Sequence, residues 1–226
     1  MKIIRKFFHV IRKPIAFDRI SANPVSRDFG LSRGTPIDRY YISDFLSKNS
    51  GDIKGAALEI AESTYTKEFG SNVTSFEILH IDDSNRKATI IGDLTKPESL
   101  PENKIDCFIC TQTLNFIFDF KKAIEGCWKL LKTDGVFLGT VSGISQISRY
   151  DMDRWGDYWR FTDLSVRKLF EEFFGQENIT VETYGNVFAA NAFLQGIAIE
   201  DLDDTETLNT KDLDYQITIG IRAVKK

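Results

Sequence analysis

Ile105-Asp106-Cys107-Phe108-Ile109-Cys110-Thr111 is apolar at consecutive positions, with no polar residue between Cys107 and Cys110. A strand with one face in water alternates apolar and polar residues; this one does not, so both of its faces are buried. Burial on both faces is the condition of a central strand in a parallel sheet covered by helices. Outward from it, short apolar runs recur upstream at 56–60, 76–81 and 88–91, and downstream at 136–141, 179–184 and 215–223. Between them lie stretches of helical length and period at 62–69, 118–131, 162–174, where Thr162 is a fitting N-cap, and 188–202. Alternation of this kind predicts an α/β chain: a single Rossmann-like, doubly wound, seven-stranded sheet. The last strand has no helix after it.

Ahead of this pattern, 23–36 is rich in Gly, Pro and Ser and reads as a loop, and Pro36 opens a helix over 37–46. The chain thus divides into an N-terminal basic arm and helical cap, 1–50, and a main domain, 51–226. The first thirteen residues carry Lys2, Arg5, Lys6, Arg12 and Lys13 interleaved with Ile3, Ile4, Phe7, Phe8, Val10 and Ile11. That is a basic amphipathic segment suited to peripheral contact with an anionic membrane or with a protein partner.

The 226 residues suffice for one α/β domain, and 42% hydrophobic with 27% charged is ordinary for a globular chain. A net charge of −4 leaves no footprint for nucleic acid, and none is expected as a partner. Cys107, Cys110 and Cys127 sit in apolar stretches, and the chain holds two histidines, His9 and His80. The expectation is buried, reduced thiols, no metal site, and a cytoplasmic protein, with a position at the inner face of a membrane as the variant the basic arm allows. No G-x-G-x-x-G occurs, which argues against a nicotinamide enzyme.

Four strings carry a resemblance: Ala57-Leu58-Glu59-Ile60, Gly92-Asp93-Leu94, the central run 105–111, and Leu130-Leu131-Lys132-Thr133-Asp134-Gly135-Val136-Phe137. In order and spacing they resemble class I S-adenosylmethionine (SAM)-dependent methyltransferases, the last string resembling that family's "LLKPGG" turn, and the resemblance implies that the last strand runs antiparallel beside the fifth and sixth. Two more, Arg33-Gly34-Thr35-Pro36-Ile37-Asp38-Arg39-Tyr40-Tyr41 and Trp155-Gly156-Asp157-Tyr158-Trp159-Arg160-Phe161-Thr162, are similar to a subgroup associated with polysaccharide and glycoconjugate biosynthesis. The chain departs from the family in the loop after strand one. Where E-x-G-x-G-x-G is usual, Ala61, Ser63 and Tyr65 follow Glu59 in place of glycines.

The resemblance implies SAM as cofactor and a small-molecule or glycan substrate. It places Glu59 and the 61–65 loop near the cofactor's amino-acid end, Asp82 (or Asp83) at its ribose, Asp93 at its adenine, and Thr111 and Gln112 toward the reacting centre. Trp155, Tyr158 and Trp159 offer flat faces suited to sugar rings. Arg160 suits a phosphate or carboxylate, with Arg33 and Arg39 joining it from the cap. Asp157 is the candidate general base for a hydroxyl acceptor. Two functions follow: methylation of a sugar or glycan-type hydroxyl, or a catalytically inactive partner or scaffold in glycan assembly, which the missing glycines favour.

Overall fold

The computed structural model describes residues 22–226. The basic arm at 1–13 lies outside them. The strands are β1 Gly55–Ile60, β2 Val73–His80, β3 Ile90–Ile91, β4 Ile105–Thr111, β5 Leu131–Ser142, β6 Ile179–Tyr184 and β7 Thr218–Val224. They form one seven-stranded sheet in the order β3-β2-β1-β4-β5-β7-β6. β1 is parallel to β2 and β4, and β4 to β5. β7 is antiparallel to both β5 and β6, with Val141 opposite Ile219 and Thr183 opposite the same residue on the other side. The doubly wound sheet is the fold that the strand pattern predicts, and the reversed last strand is the one that the resemblance implies.

The central run behaves as its composition requires. Successive residues of a strand point to opposite faces. Phe108 and Cys110 enter the core on one side, under α3 (Phe120–Leu130) and α5 (Asp163–Phe174). Cys107 and Ile109 enter the other core, which they share with Ile37, Tyr41, Ile42, Phe45 and Leu46 of α1 (Ile37–Lys48) and with Ala189, Ala190 and Phe193 of α6 (Val187–Leu194). α1 therefore packs into the sheet's own core. At its far end, Arg222 of β7 forks onto Asp52 just past α1, with Nε and Nη2 at 2.7 and 3.2 Å from the carboxylate.

The helix starts have local causes. Asp119 accepts from the amide of Lys122 at the head of α3, and Asn186 from the amide of Ala189 at the head of α6. Thr162 and Ser165 bond reciprocally in a capping box that opens α5.

Several boundaries differ from the sequence pattern. The last helix covers Val187–Leu194, well short of 202. Gly196 follows it at φ +66°, and a Cβ there would sit 2.3 Å from the Ser26 carbonyl oxygen. Apolar periodicity continues past this point, but the backbone turns left-handed, as helix ends commonly do at glycine. β3 is only Ile90–Ile91, because Ala88 and Thr89 are used in a turn in which the Thr89 hydroxyl accepts from the Ile78 amide. β2 starts earlier than 76, and α2 (Thr64–Phe69) later than 62. β7 starts at Thr218 rather than 215. The loop after β5 contains a short helix, α4 (Arg149–Met152), opened by the Ser148 hydroxyl accepting from the Asp151 amide.

Candidate functional site

In open α/β sheets, ligands lie beyond the carboxyl ends of the strands. Here that edge gathers the segments after β1, β2, β3, β4 and β5.

After β1, Glu59 is buried. Its carboxylate accepts from the amides of Tyr65 and Thr66 at 3.2 and 2.6 Å. Burial raises this carboxyl above the usual range, against those hydrogen bonds. Glu59 thus anchors the first turn of α2 to its own strand. Between them, Ala61 adopts φ +64°, and the Glu62 amide donates to the Ile60 carbonyl at 2.8 Å. An i to i+2 bond around a positive φ is a tight γ-turn, a strained form for a residue with a Cβ. The backbone at the first glycine position is therefore left-handed although the side chain is alanine. Asn85, from the loop after β2, donates to the Ala61 carbonyl at 2.7 Å. Ser63 is buried, and Tyr65 is half-buried with its hydroxyl accepting from Arg39 Nη1 at 3.1 Å.

After β2, Asp82 is exposed, and its carboxyl lies below the usual range because Ser84 hydrogen-bonds to it. His80 Nδ1 stands 3.1 Å from the same carboxylate. After β3, Asp93 accepts from both the amide and the hydroxyl of Thr95, at 2.9 and 2.7 Å. Burial acts to raise the Asp93 carboxyl, but the Thr95 bonds and Lys96 outweigh it and hold it low.

After β4, Thr111 is half-buried and Gln112 takes φ +48°. Gln112 Oε1 accepts from Ser142 Oγ at 2.7 Å and Asn115 Nδ2 at 3.0 Å. Its Nε2 is buried with no hydrogen-bond partner. Asn115, 2% exposed, also bonds Ser142 twice, at 3.1 Å through each end of its amide. Its carbonyl accepts from the amides of Tyr158 and Trp159, at 3.0 and 3.2 Å. The aromatic loop is thereby sewn to the ends of β4 and β5.

Within that loop, Trp155 and Tyr158 are 57% and 47% exposed. Trp159 is half-buried between Phe118 and Phe120, with ring centroids at 5.9 and 5.1 Å. Arg160 forks onto Asp157 at 2.6 and 2.9 Å and also reaches the Gln146 carbonyl. The Asp157 side chain has no exposed surface, and the Ser148 amide donates to it at 2.9 Å. Burial raises the Asp157 carboxyl, yet the Arg160 bonds and the Ser148 amide prevail and keep it ionised. A carboxylate enclosed in this way, with both oxygens occupied, is poorly disposed to take a proton from an acceptor. It fixes the loop instead.

The cap arginines do not join Arg160. Arg33 forks onto Asp201 at 2.7 and 3.0 Å, and Arg39 bonds Tyr65. Sequence reasoning passed over two residues of this edge, Asn115 and Asp38. Asn115 stands three residues beyond Gln112, and Asp38 lies inside the quoted 33–41 string.

The residues present fit SAM. A buried amide donor without a partner, Gln112 Nε2, and a buried carboxylate oxygen without one, Asp38 Oδ1, both belong to segments at this edge. Such atoms carry a cost that a polar ligand relieves.

Residues 52–139 match the family model described as a methyltransferase domain. No curated protein matches the chain significantly. Among solved structures, the chain is similar to a SAM-dependent methyltransferase from Archaeoglobus fulgidus, with 13% identity over 83% of this chain and 94% of that one, TM-score 0.51. It is also similar to the [4+2]-cyclase SpnF, with 12% identity over 90% of this chain and 86% of that one, TM-score 0.52. At such identities the likeness concerns the fold, which hosts more than one reaction. Residues 52–139 thus match a methyltransferase domain, and the chain has the fold of class I SAM-dependent methyltransferases.

Proposed function

We propose that the protein methylates a hydroxyl of a sugar or glycan-type acceptor, with SAM as donor. The observation that supports this most is the 155–160 loop, whose Trp155 and Tyr158 are exposed while Asn115 fastens its backbone to the ends of β4 and β5. Exposed flat rings on a fixed backbone suit the apolar faces of sugars. SAM, when bound, supplies an electrophilic methyl on a sulfonium.

The chain's part is then alignment, which accounts for much of the acceleration in such displacements. Gln112 Nε2 offers a donor toward the reacting centre. Asp82 and Asp93 would hold the ribose and the adenine amino group. Glu59 acts indirectly, by fixing the turn through Ala61 that shapes the cofactor's floor. Arg160, ion-paired, holds the loop against Asp157 and keeps Trp155 and Tyr158 presented.

Incubation with SAM labelled in its methyl group and a panel of glycan acceptors tests the reading. Label in a sugar ether is the expected result; label transferred only to protein or nucleic acid would overturn the acceptor class.

A second reading, a catalytically inactive scaffold, draws on the engaged Glu59 carboxylate and the strained Ala61 turn. Binding of SAM without any turnover across the panel, together with recovery of a stable enzyme partner, would favour it.

A further inference from the structure

Helix α1 leads through Asp52 and Ile53 into the start of β1, so it runs opposite to that strand and brings its first turn to the carboxyl edge. The Arg39–Tyr65 hydrogen bond, 3.1 Å, joins that turn to the loop leaving β1. Two charged residues of this turn are under-partnered. Asp38 Oδ1 is buried and accepts no hydrogen bond, and burial pushes the Asp38 carboxyl up even with Arg39 beside it. Arg39 donates to the neutral Tyr65 hydroxyl and forms no ion pair among the described residues. Enclosed charges are ordinarily paired, and an enclosed carboxylate oxygen is ordinarily bonded.

The opposite side of the loop is already occupied. The amides of Tyr65 and Thr66, which open α2, are taken by Glu59. They are not free to receive an anion, and each oxygen of the buried Glu59 carboxylate already accepts one of them. A ligand that completes this corner carries a cationic N–H donor for Asp38 and an anionic acceptor for Arg39. An α-amino acid end has both groups on one carbon.

We propose that Asp38 and Arg39 hold the amino-acid end of the cofactor: Asp38 Oδ1 accepts from the α-ammonium, and the Arg39 guanidinium donates to the α-carboxylate. This rests on the SAM reading above and assigns to α1 what the loop after β1 no longer offers. Arg39 then serves the donor side of the site rather than the acceptor side.

The test is calorimetric titration of the full chain with S-adenosylhomocysteine and with 5′-methylthioadenosine, which keeps the nucleoside and thioether but lacks the amino acid. Wild type is expected to prefer S-adenosylhomocysteine. Asp38→Asn is expected to lose roughly ten- to a hundred-fold in affinity for it, the scale of a hydrogen bond to a charged group, with methylthioadenosine unaffected. Melting temperature is read alongside, and no loss is expected, since the substitution removes a buried charge.

Should Asp38→Asn fail to fold, Arg39→Gln carries the same comparison with the same expectation. Unchanged affinity for S-adenosylhomocysteine in a folded variant overturns the proposal and leaves the SAM reading intact. Equal loss for both ligands also overturns it. Wild type that binds neither ligand overturns the SAM reading, and this proposal with it.

Discussion

Asn115 and Ser142 clasp each other across the ends of β4 and β5: the Ser142 amide donates to Asn115 Oδ1, and Asn115 Nδ2 donates to Ser142 Oγ, each at 3.1 Å. These two residues turn a pair of parallel strands into a platform, since the same Asn115 receives the Tyr158 and Trp159 amides on its carbonyl. Asn115→Ala removes the side-chain half of the clasp and leaves Gln112 and Ser142 under-bonded. The expected cost is about 1–3 kcal/mol. Thermal unfolding measures it, at roughly 2–4 °C per kcal/mol for a chain of this size. Hydrogen exchange at 155–160 is expected to quicken in the same variant.

The turn at Ala61 makes a second prediction. A Cβ at φ +64° costs about 1–2 kcal/mol relative to glycine, while glycine gives back up to about 1 kcal/mol through unfolded-state entropy. Ala61→Gly is therefore expected to be neutral or stabilising by up to about 1 kcal/mol. Ala61→Val is expected to destabilise, because a β-branched side chain fits that region worse. Urea unfolding of the pair decides whether the turn is left-handed.

Asp157 and Arg160 set a pH dependence. The folded Asp157 carboxyl titrates below its unfolded value of 3.8, so its contribution is present in full above that value and is lost as pH falls through the lower, folded one. Acid is thus expected to loosen the aromatic loop at pH below about 4. Asp157→Asn is expected to lose about 1–3 kcal/mol at neutral pH and to flatten that acid limb. Tryptophan fluorescence of the two proteins from pH 3 to 7 is the measurement; identical acid limbs would remove Asp157 as the cause.

The thiols supply a control on the core. Cys107, Cys110 and Cys127 are free and buried, and burial raises the thiols of Cys107 and Cys127. Thiolates, the reactive form, are then scarce. An exposed-thiol reagent is expected to label none of the three in the native protein and all three in denaturant.

What could be read from the sequence was what depends on local pattern. The central run 105–111 announced a strand buried on both faces, and Phe108 and Ile109 do enter opposite cores. Thr162 was legible as a cap because capping is settled within one turn. The last helix was overextended because apolar periodicity runs on through 197–199, while its end is set by the left-handed Gly196 against Ser26, a contact distant in sequence. The same limit governs the site. That Glu59, Asp82, Asp93 and Gln112 reach one edge followed from strand ends. That Asp157 is enclosed by Arg160 and the Ser148 amide, that Arg33 meets Asp201, or that Asp38 has a bare oxygen follows only from the packed structure.

The central claim is that this edge holds SAM although the glycines after β1 are replaced. Calorimetric titration of S-adenosylhomocysteine into wild type and Gln112→Glu tests it most directly, since that variant keeps the Oε1 acceptor and removes the unpartnered Nε2 donor. Roughly micromolar binding to wild type is expected, with at least about tenfold weaker binding to the variant, its folded state confirmed by a cooperative melting transition above the titration temperature. No binding to wild type at millimolar ligand, or equal binding to both proteins, would contradict it.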